Sequence, residues 1–206
     1  MAKILSGTRS TLARVVDPVA GALLRAGISP DAVTVTGTVG VLIGAIGFGA
    51  RGHLLLGTLI VTVSCLTDML DGSMARLRGY PTKFGAFLDS SMDRIADGAV
   101  FGSVAYWCAV NDRRWALVAA LIALVSGQLV SYVRARAEGL GLTANVGLME
   151  RTERLLLIGI GGLTQGLGVD QGMHVVLWIL AVLSVFTVVQ RVVHVRREAA
   201  LADPRP

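Results

Sequence analysis

Asp68-Met69-Leu70-Asp71-Gly72-Ser73-Met74-Ala75-Arg76, followed by Gly85, Asp89 and Asp93, sets four carboxylates into an apolar chain in the order D-x2-D-G-x2-A-R-x8-G-x3-D-x3-D. On helices, Asp68 and Asp71 at i, i+3 share one face, and Asp89 and Asp93 at i, i+4 share another. Two such faces can converge on one site. Anions clustered in a low-dielectric region are costly unless cations neutralise them or protons are taken up. An all-oxygen ligand set suits Mg2+ or Mn2+, and two carboxylate pairs can bridge two metals about 3.5 to 4 Å apart. Gly72, directly after a carboxylate, removes a side chain that would obstruct a ligand approaching the backbone. Ala75 and Gly85 suit close helix packing within a membrane.

Outward from this stretch, 53% of the 206 residues are hydrophobic and 16% charged, and the mean hydropathy is +0.67. That composition excludes an ordinary soluble domain. The expected fold is an all-α integral membrane protein. Apolar runs over 33–50, 54–66, 84–110, 115–133, 155–169 and 173–189 approach the ~20 residues of a span once polar ends are added, which predicts six transmembrane helices. One domain, 1–206, is expected, with its bundle over about 30–195. An even span count puts both termini on one side. All basic residues except Arg51, Arg113 and Arg114, 16 of 19, fall on that side, so the positive-inside rule places the termini and the aspartates in the cytoplasm of a multi-pass plasma-membrane protein. The net charge of +5 thus reads as orientation and attraction to anionic membrane lipids, with no nucleic-acid partner.

Asp17-Pro18 reads as a helix N-cap followed by proline, and Gly27 as the stop. Val19, Leu23 and Leu24 share an apolar face, so residues 17–26 are predicted to form a short amphipathic helix in the cytoplasmic interface. Ser29-Pro30-Asp31 restarts a helix by the same capping logic. Lys3, Arg9 and Arg14 interrupt the beginning of the chain, so no signal peptide is expected. Residues 198–206 are expected to form a flexible tail. Cys65 and Cys108 lie inside apolar runs and read as packing residues, without a disulfide.

The aspartate pattern resembles the signature of the CDP-alcohol phosphotransferases, with all eight fixed positions filled. The resemblance implies a lipid-linked CDP donor, CDP-diacylglycerol, whose diphosphate is held by divalent metal, Mg2+ or Mn2+, while an alcohol attacks and CMP leaves. It implies Asp68, Asp71 and Asp89 as main metal ligands and Asp93 as the general base that also touches one metal. Two metals per site and a homodimer with one active site per protomer are implied as well. Arg76 can meet the donor's phosphate or pyrimidine with its planar fork. Thr82, and the turn Asp31, Ala32, Val33 and Thr34, which resembles a secondary family element, are further nucleotide-binding candidates alongside Gly72.

Arginines after the fourth span bear on the acceptor. Arg134 and Arg136, then Arg151 and Arg154 in Glu150-Arg151-Thr152-Glu153-Arg154, and Arg191 at the end of the sixth span all lie at the expected cytoplasmic mouth. A neutral alcohol needs no such charge, whereas phosphate recognition does. The Glu-Arg-Thr-Glu-Arg run resembles actinobacterial phosphatidylinositol phosphate synthases, which implies inositol 1-phosphate as acceptor. Phosphatidylglycerophosphate synthase, using glycerol 3-phosphate, is the nearest alternative, although the lysine-containing stretch expected there is missing.

Bland readings compete with each of these. A single arginine at a cytoplasmic helix end is about as often a topological anchor as a ligand, and Arg196, Arg197 and Arg205 are assigned to the lipid surface. Asp97, four residues past Asp93, is read as hydrogen-bonded to Arg94 or a neighbouring helix rather than as a fifth ligand. His53, His174 and His194 are scattered without ligand partners, and Trp107, Trp115 and Trp178 read as packing or anchoring. Intramembrane acids also mark ion-coupled transporters, but those favour the midplane and repeated halves. Here the acids cluster toward the helix ends and no second copy exists.

Overall fold

The computed structural model describes residues 16–79 and 82–202, the side chain of Asp68 excepted, and all regular structure in them is helical. Lys3, Arg9, Arg14 and Arg205, four of the orienting basic residues, lie outside that range. Helix α1 covers residues 16–25 and α2 Pro30–Leu42, which continues as a π-helical segment, Ile43–Gly49. Then follow α3 (Leu54–Cys65), α4 (Thr67–Leu77), α5 (Lys83–Val110), α6 (Arg114–Glu138), α7 (Arg151–Gly166) and α8 (Gly172–Ala202). Among the described residues, four stretches are long and apolar enough to cross a membrane: Pro30–Gly49, Leu54–Leu77, α6 and α8. The other two predicted spans fall short for visible reasons. α5 carries Asp89, Asp93, Arg94 and Asp97, and α7 has only 16 residues.

The chain divides into two units, Met1–Gly44 with Leu59–Ala96, and Ala45–Thr58 with Asp97–Pro206. In the first, α2 packs on α4 because glycines face small polar residues. A Cβ at Gly37 would collide with Thr67 Oγ1 and stand 3.3 Å from the Ser64 carbonyl oxygen, and one at Gly40 would collide with Ser64 Oγ. Such contacts let backbones approach where lipid offers no hydrophobic drive. Ser29 caps α2 as its spacing predicts, accepting from Ala32 N at 3.2 Å. Ala20 of α1, Val33 of α2 and Met74 of α4 form a buried cluster, with Leu23, Leu24 and Leu70 packed on it. The apolar face read from α1 is thus partly spent on protein. Gly27 ends α1 with φ 80°, and Ile28 N donates to Leu23 O at 3.1 Å, a Schellman closure that glycine permits. Asp17, expected as the N-cap, lies inside the helix instead, since Val16 is already helical. Its carboxylate accepts from Ser73 Oγ of α4 at 2.5 Å.

In the second unit, α8 packs against α6 and α7. Glycines again mark the crossings: a Cβ at Gly161 would lie 3.1 Å from Met173 Sδ, and one at Gly166 would lie 2.7 Å from Leu55 N. Helix α8 extends to Ala202, past the predicted start of a tail at residue 198. Glu198, Ala199, Ala200, Leu201 and Ala202 are strong helix formers, and Glu198 accepts from the Thr143 backbone N at 2.7 Å. Among the described residues, Cys65 and Cys108 form no disulfide. Trp107 packs, with the Arg113 guanidinium 4.9 Å from its ring centroid.

Candidate active site

The aspartates lie in the N-terminal halves of α4 and α5 in the first unit. Asp71 is 7% exposed, and its Oδ2 accepts from Thr34 Oγ1 at 2.5 Å. A charge-assisted bond of this kind orients the carboxylate and offsets part of its burial cost. Asp89 and Asp93 stand one turn apart on α5; Asp89 is exposed and the Asp93 side chain is 21% exposed. Arg94 Nη2 lies 3.9 Å from Asp93 Oδ2, the outer limit of an ion pair, and a partly exposed pair at that distance is weak. Among the described residues no three His, Cys, Asp or Glu side chains gather closely enough to hold a metal. Asp68, the fourth carboxylate, has no described side chain. The donor set, carboxylate oxygens on successive helix faces, has the chemistry that hard divalent cations select.

The nucleotide candidates separate into distinct roles. A Cβ at Gly85 would stand 2.9 Å from Thr82 Oγ1 and 3.3 Å from Asp31 Oδ1, so the start of α5 meets the start of α2. Thr82 Oγ1 accepts from Gly85 N at 2.9 Å, an N-terminal capping bond for α5. Thr34, read as a nucleotide contact, commits its hydroxyl to Asp71, and the Val33 side chain belongs to the buried cluster with Ala20 and Met74. Asp31, Ala32 and Thr82 remain at the surface of this unit. Gly72 differs from the packing glycines: among the described residues, a Cβ there would meet only Arg76 Nη1, at 3.8 Å. Ordinary van der Waals contact would admit alanine, so the described packing does not explain this glycine. Arg76 is exposed on the last turn of α4.

The arginines, all in the second unit, have less in common than their letters suggest. Arg191 is 2% exposed. It donates to the Val130 carbonyl at 2.6 Å and to the Val146 carbonyl at 2.8 Å, and its Nη2 lies 3.4 Å from Glu150 Oε1. These bonds tie the 139–150 connection to α6 and α8. Arg154 is 1% exposed, with Nη2 donating to Asp97 Oδ2 at 2.7 Å and with Nε and Nη1 buried without hydrogen-bond partners among the described residues. Arg151 is 22% exposed, and its Nε stands 3.4 Å from Asp97 Oδ1. Arg134 pairs with Glu138 at 3.0 Å in an exposed i, i+4 bridge, and Arg136 is exposed. Asp97 therefore has the structural partner expected of it, on α7 rather than at Arg94. The missed signal was the i, i+3 spacing of Arg151 and Arg154, which lets one carboxylate serve both.

The CDP-alcohol phosphatidyltransferase family model matches residues 27–190. The chain is 45% identical to the phosphatidylinositol phosphate synthase of Mycobacteroides abscessus over 97% of this chain and 91% of that protein. It is 45% identical to the phosphatidylinositol phosphate synthase of Streptomyces avermitilis over 95% of this chain and 83% of that one. Mycobacterium tuberculosis phosphatidylinositol phosphate synthase, crystallised with CDP-DAG bound, superposes with a TM-score of 0.88 at 42% identity, covering 94% of this chain and 99% of that chain. The same protein crystallised with manganese and citrate superposes at 0.87 with 41% identity, covering 93% of each.

Proposed function

The chain belongs to the CDP-alcohol phosphatidyltransferase family, and on that premise we propose that it is a phosphatidylinositol phosphate synthase, joining CDP-diacylglycerol to inositol 1-phosphate. The observation that carries the reading is near-full-length similarity, 45% identity over 97% of the chain, to a protein of that activity, in a sequence that fills the whole aspartate signature. The hydroxyl oxygen of inositol 1-phosphate attacks the phosphorus next to diacylglycerol, the bond to CMP breaks, and the proton passes to the Asp93 carboxylate. Asp68, Asp71, Asp89 and Asp93 would hold two divalent cations, Mg2+ with Mn2+ as a substitute. Bound there, such ions supply charge stabilisation of the donor's diphosphate. Thr34 keeps Asp71 oriented, Gly72 leaves room for the nucleotide, and Asp31, Ala32, Thr82 and Arg76 border it.

The acceptor's phosphate is assigned to the arginine group Arg134, Arg136, Arg151, Arg154 and Arg191, whose charge a neutral alcohol would not need. The catalytic domain extends over the whole chain, which crosses the plasma membrane six times, α5 and α7 included. The acids that α5 carries account for its shortfall in apolarity. Both termini and the active site face the cytoplasm, and the enzyme is a homodimer. The test is CMP release by purified protein with Mg2+ and CDP-diacylglycerol across inositol, inositol 1-phosphate, glycerol 3-phosphate, serine and glycerol. Release dependent on inositol 1-phosphate alone is expected. Release driven by glycerol 3-phosphate would replace the acceptor assignment, and release driven by free inositol would remove the role given to the arginines.

A further inference from the structure

We propose that the cavity between the α5–α6 and α7–α8 turns binds the headgroup of a zwitterionic phospholipid, its phosphodiester at Arg114 and its primary ammonium at Asp112 and Asp170. None of these residues takes part in the reaction proposed above. The cavity, of about 630 Å³ and lined by Asp112, Arg114, Trp115, Asp170 and His174 among others, lies wholly in the second unit. Its size falls in the range of small-molecule sites. Internal bonds hold its walls. Arg113 Nη1 donates to the Asp170 carbonyl at 2.6 Å and to Gln165 Oε1 at 3.3 Å, and its guanidinium lies 4.9 Å from the Trp107 ring centroid, so the two turns are tied together. The α7–α8 turn is also closed on itself: Val169 N donates to Thr164 O at 3.0 Å and Gly172 N to Val169 O at 2.9 Å.

These ties leave charge unused. Arg113 takes the backbone oxygen of Asp170, not its carboxylate. Among the described residues, the Asp112 and Asp170 carboxylates, the Arg114 guanidinium and the His174 ring make no hydrogen bond or ion pair with protein. Two acids and an arginine thus border one cavity without pairing. Nor do the acids and His174 gather closely enough to share a metal ion, since no three such side chains do so among the described residues. A simple anion would meet the acids' repulsion, and a bare cation that of Arg114. A ligand with both charges on separate atoms satisfies each, as a phosphodiester with an ammonium does, and the planar fork of an arginine suits the phosphate. Position supplies the lipid. The cavity stands where α6 and α8 begin, and both are long and apolar enough to cross a membrane, which sets it at the membrane–water boundary. Trp115, 71% exposed, is a residue type that anchors at that level. Exposed Leu167 and Val169 on the α7–α8 turn offer acyl chains an apolar surface beside the polar one. Two carboxylates accept hydrogen bonds from a primary ammonium, whereas a quaternary one is held by an aromatic cage, and among the described lining residues only Trp115 offers such a face.

The experiment counts lipids retained by the full-length protein in native mass spectrometry, with phosphatidylethanolamine, phosphatidylcholine and phosphatidylglycerol of matched acyl chains offered at equal concentration. One phosphatidylethanolamine per protomer should be retained in preference to the other two. Arg114→Gln and Asp112→Asn should each weaken that retention about five- to tenfold, the loss of one charge-assisted contact at a solvent-facing site. Asp112 has φ 54°, a left-handed backbone that asparagine also adopts, so the turn survives the exchange. Without added lipid, each variant should unfold at the wild-type midpoint; if one does not, Asp170→Asn takes its place with the same expectation. Arg51→Gln, a change to another basic residue of the same predicted face, is the control and should leave retention unaltered. Soluble phosphoethanolamine, the headgroup without chains, should not displace the lipid at matched concentration. Equal retention of the three lipids, a preference for phosphatidylcholine or phosphatidylglycerol, full retention in the cavity variants, an equal loss in Arg51→Gln, or displacement by phosphoethanolamine would each overturn the proposal.

Discussion

Replacing Gly72 by alanine should push stability and activity in opposite directions. Gly72 lies inside α4, and glycine in a helix interior is about 0.5–1 kcal/mol worse than alanine. Among the described residues the Cβ would meet only Arg76 Nη1, at 3.8 Å, so no overpacking against them cancels that gain. For a chain of this size, a gain near the upper value shifts an unfolding midpoint by roughly 2–4 °C upward. Against a bound nucleotide the same methyl group is an intruder, and overpacking by about one methylene typically costs about 1–3 kcal/mol. At about 1.4 kcal/mol per tenfold, kcat/KM for CDP-diacylglycerol should fall between about five-fold and a hundred-fold. The assay pairs thermal unfolding at one fixed scan rate with CMP release at varied donor concentration. A stabilised variant with wild-type donor kinetics would refute the claim that this glycine is kept for the ligand. A destabilised variant would show instead that the space around residue 72 belongs to the protein.

Gly37→Ala is the opposite case: its Cβ collides with Thr67 Oγ1, so the unfolding midpoint should drop, by an overpacking cost of about 1–3 kcal/mol, and an unchanged midpoint would contradict the α2–α4 packing. Asp93→Asn keeps volume and removes the proton acceptor, so turnover should fall ~10^2-fold or more with the donor KM retained. Asp89→Asn should respond to excess Mg2+ and Asp93→Asn should not; equal rescue would remove Asp93 from the role of base. Single cysteines at Gly79 and Asp112, in a chain lacking Cys65 and Cys108, should label from opposite sides of the membrane, Gly79 from the cytoplasm. Labelling of both from one face would overturn the six-span topology.

What the sequence made legible was whatever short-range rules govern. The Ser29 cap, the stop at Gly27 and the helical placement of the aspartates all follow from spacing within a few residues, and each stands in the structure. Partner choice across the fold was not legible. Thr34 borders a turn that looked like a nucleotide contact, yet its hydroxyl reaches Asp71, 37 residues on. Asp17 has the letters of an N-cap and spends its carboxylate on Ser73, 56 residues away. Apolar periodicity likewise marks α1 as amphipathic without saying that Ala20 is fully buried against protein. In each case a polar group or apolar face had two ways to be satisfied, and only the long-range packing decided between them.

The arginines carry that point into the chemistry. Arg151, Arg154 and Arg191 are one residue type near one predicted membrane face, and from sequence all three read as phosphate ligands. Burial separates them. Three of the five N–H donors of a guanidinium are directed at Val130, Val146 and Glu150 in Arg191, which gives this arginine a role in the connecting segment beside the one proposed for it at the acceptor. Its effect runs through that segment. Met149 N donates to Thr187 Oγ1 at 3.1 Å on α8, and Glu150 follows as the residue at which α7 begins. Arg191 and Thr187 therefore fix where α7 starts, and with it the origin of the side chains at 151 and 154. Removing the Arg191 charge should then disturb the acceptor site and the stability of the 139–150 connection together. Removing Arg151 should disturb only the acceptor site, and that difference separates a clamp from a ligand although the two residues share a name.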